Sequence, residues 1–388
     1  MTAATLVWRN LWRSRTRTTL TIASLAASMF LFTLLLATVE SMHDVARQSA
    51  ARLRLVVHHK TTMTSMLPLG YGRRLSELPG VRAVCGFRWF GGRVANSQEQ
   101  FPSMGVDVAA FPIVFDDFEL SANELDKWAN DRLAAVVGVG LARRMGWRFG
   151  DRVVLTSSVP PYLKLEFRIA GVTRAPAYPN VFVLRFDYLH DALKESGVMS
   201  PAFDDAVYLY WGKAESPEAL EPLRRTIDET FAHSPDPTMT EMEESFVAQF
   251  TKMFGDIPGI IRSVGLVVVA SILLVLCNTM SSAIRERIGE LAVLKAIGFS
   301  TRAILATIVG ESALVGLIGG VLGCLPALLA FGLSAGAGLS MPYFPTLSVS
   351  PISVAGGMGA ALCIGLAAAV LPARQIARLS AAQALRNI

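Results

Sequence analysis

Arg285-Glu-Arg-Ile-Gly-Glu-Leu-Ala-Val-Leu-Lys-Ala-Ile-Gly298 lies between two apolar segments, each long enough to cross a bilayer. Within it, Ile288, Leu291, Leu294 and Ile297 recur at near-helical spacing, and Arg285, Glu286, Arg287, Glu290 and Lys295 supply a charged opposite face. That pattern predicts an amphipathic helix of about four turns at the membrane surface. Gly298 fits a C-terminal stop, and Ser300 sits where the following helix needs an N-cap. Two spans can be joined by a plain turn. A folded, charged connection is built to be gripped from the cytoplasm.

The rest of the chain agrees with a membrane reading. Of its 388 residues, 52% are apolar and 17% charged, which excludes an ordinary soluble protein. Leu20–Val39, Val264–Ile284, Ala303–Leu333 and Ile352–Val370 are long enough to span, since crossing takes about 20 residues. Basic residues set the orientation. Arg9, Arg13, Arg15 and Arg17 precede the first span without an acid, Arg302 joins the 285–302 connection, and Arg374, Arg378 and Arg386 follow the last span unopposed. The 340–351 loop carries no charge. Both termini and the short helix therefore face the cytoplasm, with Trp8 and Trp12 suited to the inner interfacial belt. Residues 41–262 hold 25 basic and 27 acidic residues. The net +5 is thus a topology signal, and nucleic acid is not a partner. The first apolar run is longer than a secretory h-region and has no A-x-A-like site before Glu40, so it reads as an uncleaved anchor. Cys277, Cys324 and Cys363 lie in spans and only Cys85 lies outside them, so the outer domain has no internal disulfide.

These readings predict an α-helical membrane protein with four transmembrane helices and a large α+β extracytoplasmic domain on a helical stalk. The expected order is a cytoplasmic segment 1–19, a first span 20–40, a stalk helix 41–56, the outer domain 57–240 and a second stalk helix 241–263. A second span 264–284, the amphipathic helix 285–299, a third span 300–333, an external loop 334–350, a fourth span 351–371 and a cytoplasmic tail 372–388 complete it. Phe246, Phe250, Met253, Phe254 and Ile257 form the apolar stripe of the second stalk helix, which Pro258-Gly259 interrupts. In the outer domain, a helix around Arg73–Leu78 leads to a strand Val81–Trp89. A strand around Val207–Trp211 precedes a helix opened by Ser216-Pro217, with Leu220, Leu223, Ile227 and Phe231 inward. These resemble two small α/β lobes. Between them, Leu133–Val137 reads as a strand, Val139–Met145 as a helix stopped by Gly146, and Leu163–Ile169 as a strand of strict alternation suited to an antiparallel sheet.

Little in the sequence points to chemistry. Gly138-Val-Gly140 follows a strand, but Arg143 stands where a dinucleotide fingerprint needs its third glycine, so tight-turn glycines are the better reading. No Walker A loop occurs. His58 and His59 point to opposite faces of a strand, and Asp116-Asp117 and Asp204-Asp205 read as solvated turns rather than calcium ligands. Catalytic, metal and cofactor residues are not assigned. Glu311 differs, because an acid inside a span is expensive. It is either functional or, within two turns of the cytoplasmic surface, protonated or bonded to a neighbouring helix. In the same span, Gly316/Gly320 and Gly319/Gly323 form two small-xxx-small pairs that suit close helix packing, within the chain or between subunits.

Four features together resemble the MacB/FtsX/LolC-type permeases, the type VII ABC transporters. They are Trp8-Arg-Asn-Leu11 with Arg15-Thr-Arg-Thr-Thr-Leu20; the 285–298 connection; Glu311 with Gly319-Gly320; and Pro372-Ala-Arg-Gln-Ile-Ala-Arg378 with Ala384-Leu-Arg386. In the outer domain, Ala134-Ala-Val-Val-Gly138, Gly150-Asp-Arg-Val153 and Ile169-Ala-Gly-Val172 look like the family's periplasmic core domain. The resemblance implies a permease in the bacterial inner membrane, non-catalytic itself, with ATP and magnesium bound by a partner ATPase seated on the coupling helix. A second permease copy or paralogue completes a dimer, and some members add a periplasmic adaptor. ATP-driven closure of the ATPases would move stalks and outer domains, a mechanism called mechanotransmission. Two roles follow from the resemblance: export or extraction of a lipophilic substrate, lipoprotein or peptide, or an FtsX-like scaffold that switches an external hydrolase.

Overall fold

The computed structural model describes residues 15–50, 52–94, 99–198, 200–253, 255–332 and 348–378. They fall into two compact units, one of residues up to 41 and from 256 onward, the other of residues 42–255. The leader through residue 14, Phe254, the 333–347 loop and the tail beyond 378 are outside the described residues.

The first helix, α1 (Arg15–Ala50), is 36 residues long, and its part to Ser41 is apolar enough to span. The stalk helix expected over 41–56 ends at Ala50. Leu53 takes a positive φ of 55°, and β1 (Arg54–His59) begins at once. Leu55, Val56 and Val57 are fully buried there, with β-sheet partners on both sides. For the β-branched Val56 and Val57 that pairing outcompetes one more helical turn.

The outer unit continues through β2 (Leu67–Pro68), α2 (Gly70–Ser76), β3 (Val81–Trp89), β4 (Gly92–Val94), β5 (Ser103–Val106), α3 (Phe111–Val114) and α4 (Ala122–Asn130). Next come β6 (Ala134–Gly138), α5 (Val139–Met145), β7 (Arg152–Ser157), β8 (Lys164–Thr173), β9 (Phe182–Arg185), α6 (Phe186–Ser196) and α7 (Pro201–Asp204). It closes with β10 (Ala206–Val207), β11 (Leu209–Ala214), α8 (Leu220–Phe231), β12 (Thr238–Met242) and α9 (Glu243–Met253). Ten strands make one mixed sheet in the order β12-β1-β11-β3-β5-β9-β6-β8-β7-β4, and β2 pairs with β10. The two expected lobes are therefore parts of a single sheet. Leu75 of α2 and Leu223, Ile227 and Phe231 of α8 share one core cluster, where Tyr71 stacks on Phe231 at 4.3 Å. Strand β8 is antiparallel to β7 but parallel to β6, so only one of its edges matches the expectation. Its neighbour β6 is buried along its whole length, as a strand covered on both faces must be.

The second unit contains α10 (Ile257–Arg285), α11 (Ile288–Ala296), α12 (Thr301–Phe331), α13 (Pro351–Ala368) and α14 (Val370–Arg378). The stalk helix expected over 241–263 is interrupted at both ends. Strand β12 runs to Met242, and Gly255 at φ 98° separates α9 from α10. Pro258 starts α10 rather than breaking a helix, because Asp256 caps the Gly259 N–H at 3.0 Å and proline suits a first turn. Helices α1, α10, α12 and the α13 segment are each long and apolar enough to cross a membrane.

Glycines set how closely α12 packs. A Cβ on Gly316 would stand 2.7 Å from the Ala361 carbonyl oxygen, and one on Gly320 would stand 2.8 Å from Ala361 Cβ. Gly319 and Gly323 meet α1 instead, where a Cβ would lie 2.5 Å from Leu25 Cδ2 and 2.4 Å from the Ala26 carbonyl oxygen. One pair thus admits α13 and the other admits α1. Leu25, Met29, Leu276, Val315, Cys324 and Ala361 fill the common core, while Leu266, Leu274 and Ile352 remain largely exposed, as lipid-facing residues do.

Candidate functional site

The connection between α10 and α12 is a helix, but a shorter one than its sequence suggests. Arg285 ends α10, Glu286 and Arg287 form a turn, and α11 covers nine residues, Ile288–Ala296. Gly298 adopts φ 103° after it, and Ser300 Oγ accepts the Ala303 N–H at 3.2 Å, so the stop and the cap stand where the sequence placed them.

The expected apolar stripe divides. Leu291 packs beside a buried cluster of Ile284, Ile304, Ile308, Ala369 and Ile376. Ile297 is 71% exposed, and Val293 and Phe299 are exposed with it. Six residues at about 100° each leave Leu291 and Ile297 about 120° apart on a helix, so they need not share a side. Ile297 still has helical dihedrals, so its place on the helix turns it to solvent, and only Phe299 follows the left-handed Gly298. Glu290 is exposed and Lys295 half-buried, and the side chain of Leu294 is outside the described residues.

Two ion pairs fix the start of α11. Arg287 Nη1 lies 3.2 Å from Glu311 Oε2, and Arg17 Nη1 lies 2.6 Å from Glu286 Oε2. Glu311, the only acid in α12, therefore bonds to the turn before the short helix, the neighbouring-helix alternative of the sequence reading. Elsewhere in the same unit, Glu40 accepts from Ser350 Oγ at 2.7 Å and also bonds Ser353. Its charge thus faces the N-terminus of α13, where a helix dipole favours an anion.

Residues 18–230 match the MacB-like periplasmic core domain, and residues 262–381 match the FtsX-like permease C-terminal region. The chain belongs to the MacB/FtsX permease family. An uncharacterized ABC transporter permease of Methanocaldococcus jannaschii is 22% identical over 99% of this chain and 97% of its own length. The macrolide export ATP-binding/permease protein MacB of Rhodopseudomonas palustris is 40% identical over 28% of this chain, a stretch that makes up 16% of that protein. The periplasmic region of MacB from Actinobacillus actinomycetemcomitans is 10% identical, covers 52% of this chain and 92% of that region, and superposes with a TM-score of 0.36. As a MacB/FtsX permease, the chain is an ABC transporter membrane subunit with a periplasmic-type domain inserted after its first helix.

In this permease the stalk residues do not form one stripe. Phe246 is buried, edge-on to Trp211 at 5.9 Å and tilted against His58 at 6.0 Å, so α9 is anchored on the sheet. Phe250 stacks on Phe246 yet is 38% exposed, Phe254 lies outside the described residues, and Ile257 opens α10.

Other candidates settle as structure. Cβ atoms on Gly138 and Gly140 would meet the backbone of Tyr178 and Pro179, so these glycines admit that loop. His58 and His59 separate as their strand requires: His58 is buried against Phe246, and His59 Nδ1 accepts the Thr61 N–H. In each aspartate pair one member, Asp116 or Asp205, is exposed as a turn residue is, and the other is not. Asp204 is buried, and Asp205 pairs with His190 at 2.7 Å and Lys194 at 2.9 Å. Asp117 pairs with Arg52 and Arg54, and Asp116 with Lys213. Sequence reasoning missed Arg54 altogether. Its only signal was a cation set just before three apolar strand residues.

Proposed function

We propose that this permease couples ATP hydrolysis on a separate cytoplasmic ATPase to movement of its outer domain, and that the ATPase grips α11. The observation that carries this reading is the division of α11. Leu291 is packed inward and Arg287 is held by Glu311, while Val293, Ile297 and Phe299 are exposed. A helix fixed on one side and apolar on the other gives a partner both a surface to hold and a rigid link to α12. In this reading both termini and α11 are cytoplasmic in an inner membrane, ATP and magnesium belong to the partner, and a second permease copy or paralogue completes the assembly. The moving domain serves export or extraction of a lipophilic molecule, lipoprotein or peptide, with an adaptor as an optional partner.

The test is Ile297→Asp combined with Phe299→Ser. Both positions are exposed, so membrane insertion and the unfolding temperature should stay as in the unsubstituted protein, while the ATPase is lost on purification. Normal co-purification together with normal permease-stimulated ATP turnover would count against the reading. Glu290→Lys with Leu291→Asp should uncouple as well, but through the inward packing of Leu291, and should lower thermal stability.

A further inference from the structure

Where the chain leaves α1 and where it enters α9, the outer unit holds a compact charge cluster. Arg54, the first residue of β1, is 2% exposed. Its Nε donates to the Val114 carbonyl at 2.7 Å, its Nη1 donates to the Tyr178 hydroxyl at 2.8 Å, and its Nη2 bonds Asp117. Glu243 Oε2, from the first residue of α9, is 3.4 Å from Nη1, and the Phe115 ring lies 4.3 Å beneath the guanidinium. Arg52 bridges the same acids, with Nε 2.9 Å from Asp117 Oδ2 and Nη1 3.2 Å from Glu243 Oε1. Lys213 of β11 holds Asp116 at the exposed rim. Three cations thus face three carboxylates.

Stability alone is a poor reason for this arrangement. A buried ion network is commonly no better than an apolar replacement of the same volume, because removing the charges from water is costly. Burial indeed raises the pKa of Glu243, and Arg54 and Arg52 only partly oppose that. A forked guanidinium fixes direction, which sliding apolar contacts do not. The segments it joins are of two kinds. Arg52 and Arg54 follow α1, and Glu243 opens the helix that leads to α10, whereas Val114, Asp117, Tyr178 and Lys213 belong to the body of the outer domain.

We propose that Arg54 is the positioning residue through which displacement of α1 and α9 is delivered to the Val114–Asp117 turn and the Tyr178 segment of the outer domain. This rests on the mechanical reading of the function.

The experiment uses the full-length permease with its ATPase in lipid nanodiscs. Spin labels at Ala122→Cys, in the helix that follows the Val114–Asp117 turn, and Ser348→Cys beside α13 report one distance, measured without nucleotide and with ATP plus vanadate. Arg54→Lys keeps the charge and loses the fork, while Glu243→Gln and Asp117→Asn keep the shape and lose a charge. In each variant the nucleotide-dependent distance change should fall below about half that of the unsubstituted protein while ATP turnover stays within about twofold. A full distance change in all three variants overturns the proposal, whether or not their unfolding temperatures drop. If Arg54→Lys fails to fold, the two carboxamide variants decide it. No distance change in the unsubstituted protein would instead sink the mechanical reading itself.

Discussion

Arg287 and Glu311 form an ion pair at 3.2 Å with side chains only 16% and 14% exposed, joining the turn before α11 to the middle of the first half of α12. Removing either partner leaves a charge in a poorly solvated place, so Glu311→Gln or Arg287→Met should each cost about 1.5–3 kcal/mol. The double substitution should cost less than the sum. The exchange Arg287→Glu with Glu311→Arg should restore stability and coupled ATP turnover in part. Thermal unfolding and permease-stimulated ATPase assays check this, and additive losses with no rescue would show that the pair is incidental.

The glycines of α12 predict a graded series. Gly323→Val forces a side chain toward the Ala26 carbonyl and Met29, and Gly316→Val forces one toward Ala361 and Gly365. Each should destabilise by about 1–3 kcal/mol through overpacking. Gly359 has nothing within 4 Å of its would-be Cβ. There, Gly359→Ala should be neutral or gain up to about 1 kcal/mol from helix propensity. Equal effects at all three positions in a detergent unfolding assay would rule out the assigned contacts.

Much of this was legible because it rested on local rules. The spans follow from run length, Gly298 and Ser300 from helix-end chemistry, and β3 and α5 from patterning that the fold leaves intact. The failures share a cause, since each depended on a distant partner. Arg54–Val56 looks like the tail of a helix until β11 and β12 pair with β1 on its two sides. Asp117 looks like part of a solvated turn until Arg52 and Arg54 arrive from the segment after α1, and Lys213 of β11 pairs with its exposed neighbour Asp116. The phenylalanine stripe of the second stalk looks continuous until Trp211 captures Phe246. Glu311 was flagged by the cost of its burial, but its partner was in a turn that the sequence extended as helix.

Topology is testable with thiols, although not at Cys85. That residue is fully buried in β3, and burial pushes its thiol pKa well up, so it should not react with an impermeant maleimide on either side. Exposed Ala122 and Ala232 are better reporters of the outer unit, and exposed Phe299 tests the side proposed for α11. In intact spheroplasts, Ala122→Cys and Ala232→Cys should label without lysis, whereas Phe299→Cys should label only after it. The reverse pattern would invert the orientation inferred from the basic residues.

The stalk prediction turns on two neighbouring rings with different surroundings. Phe246 is 8% exposed and wedged between Trp211 and His58, whereas Phe250 is 38% exposed. Phe246→Ala should therefore cost about 3–5 kcal/mol and loosen α9 from the sheet. Phe250→Ala loses a smaller buried area and should cost roughly half as much or less. If α9 passes force to the sheet, Phe246→Ala should leave ATP hydrolysis running while the nucleotide-dependent movement of the outer domain disappears, and Phe250→Ala should keep both. Unfolding curves give the energies, and the Ala122–Ser348 label distance gives the movement. Movement that survives Phe246→Ala would mean that α9 is only a tether, and that any force reaches the sheet through α1 and β1 alone.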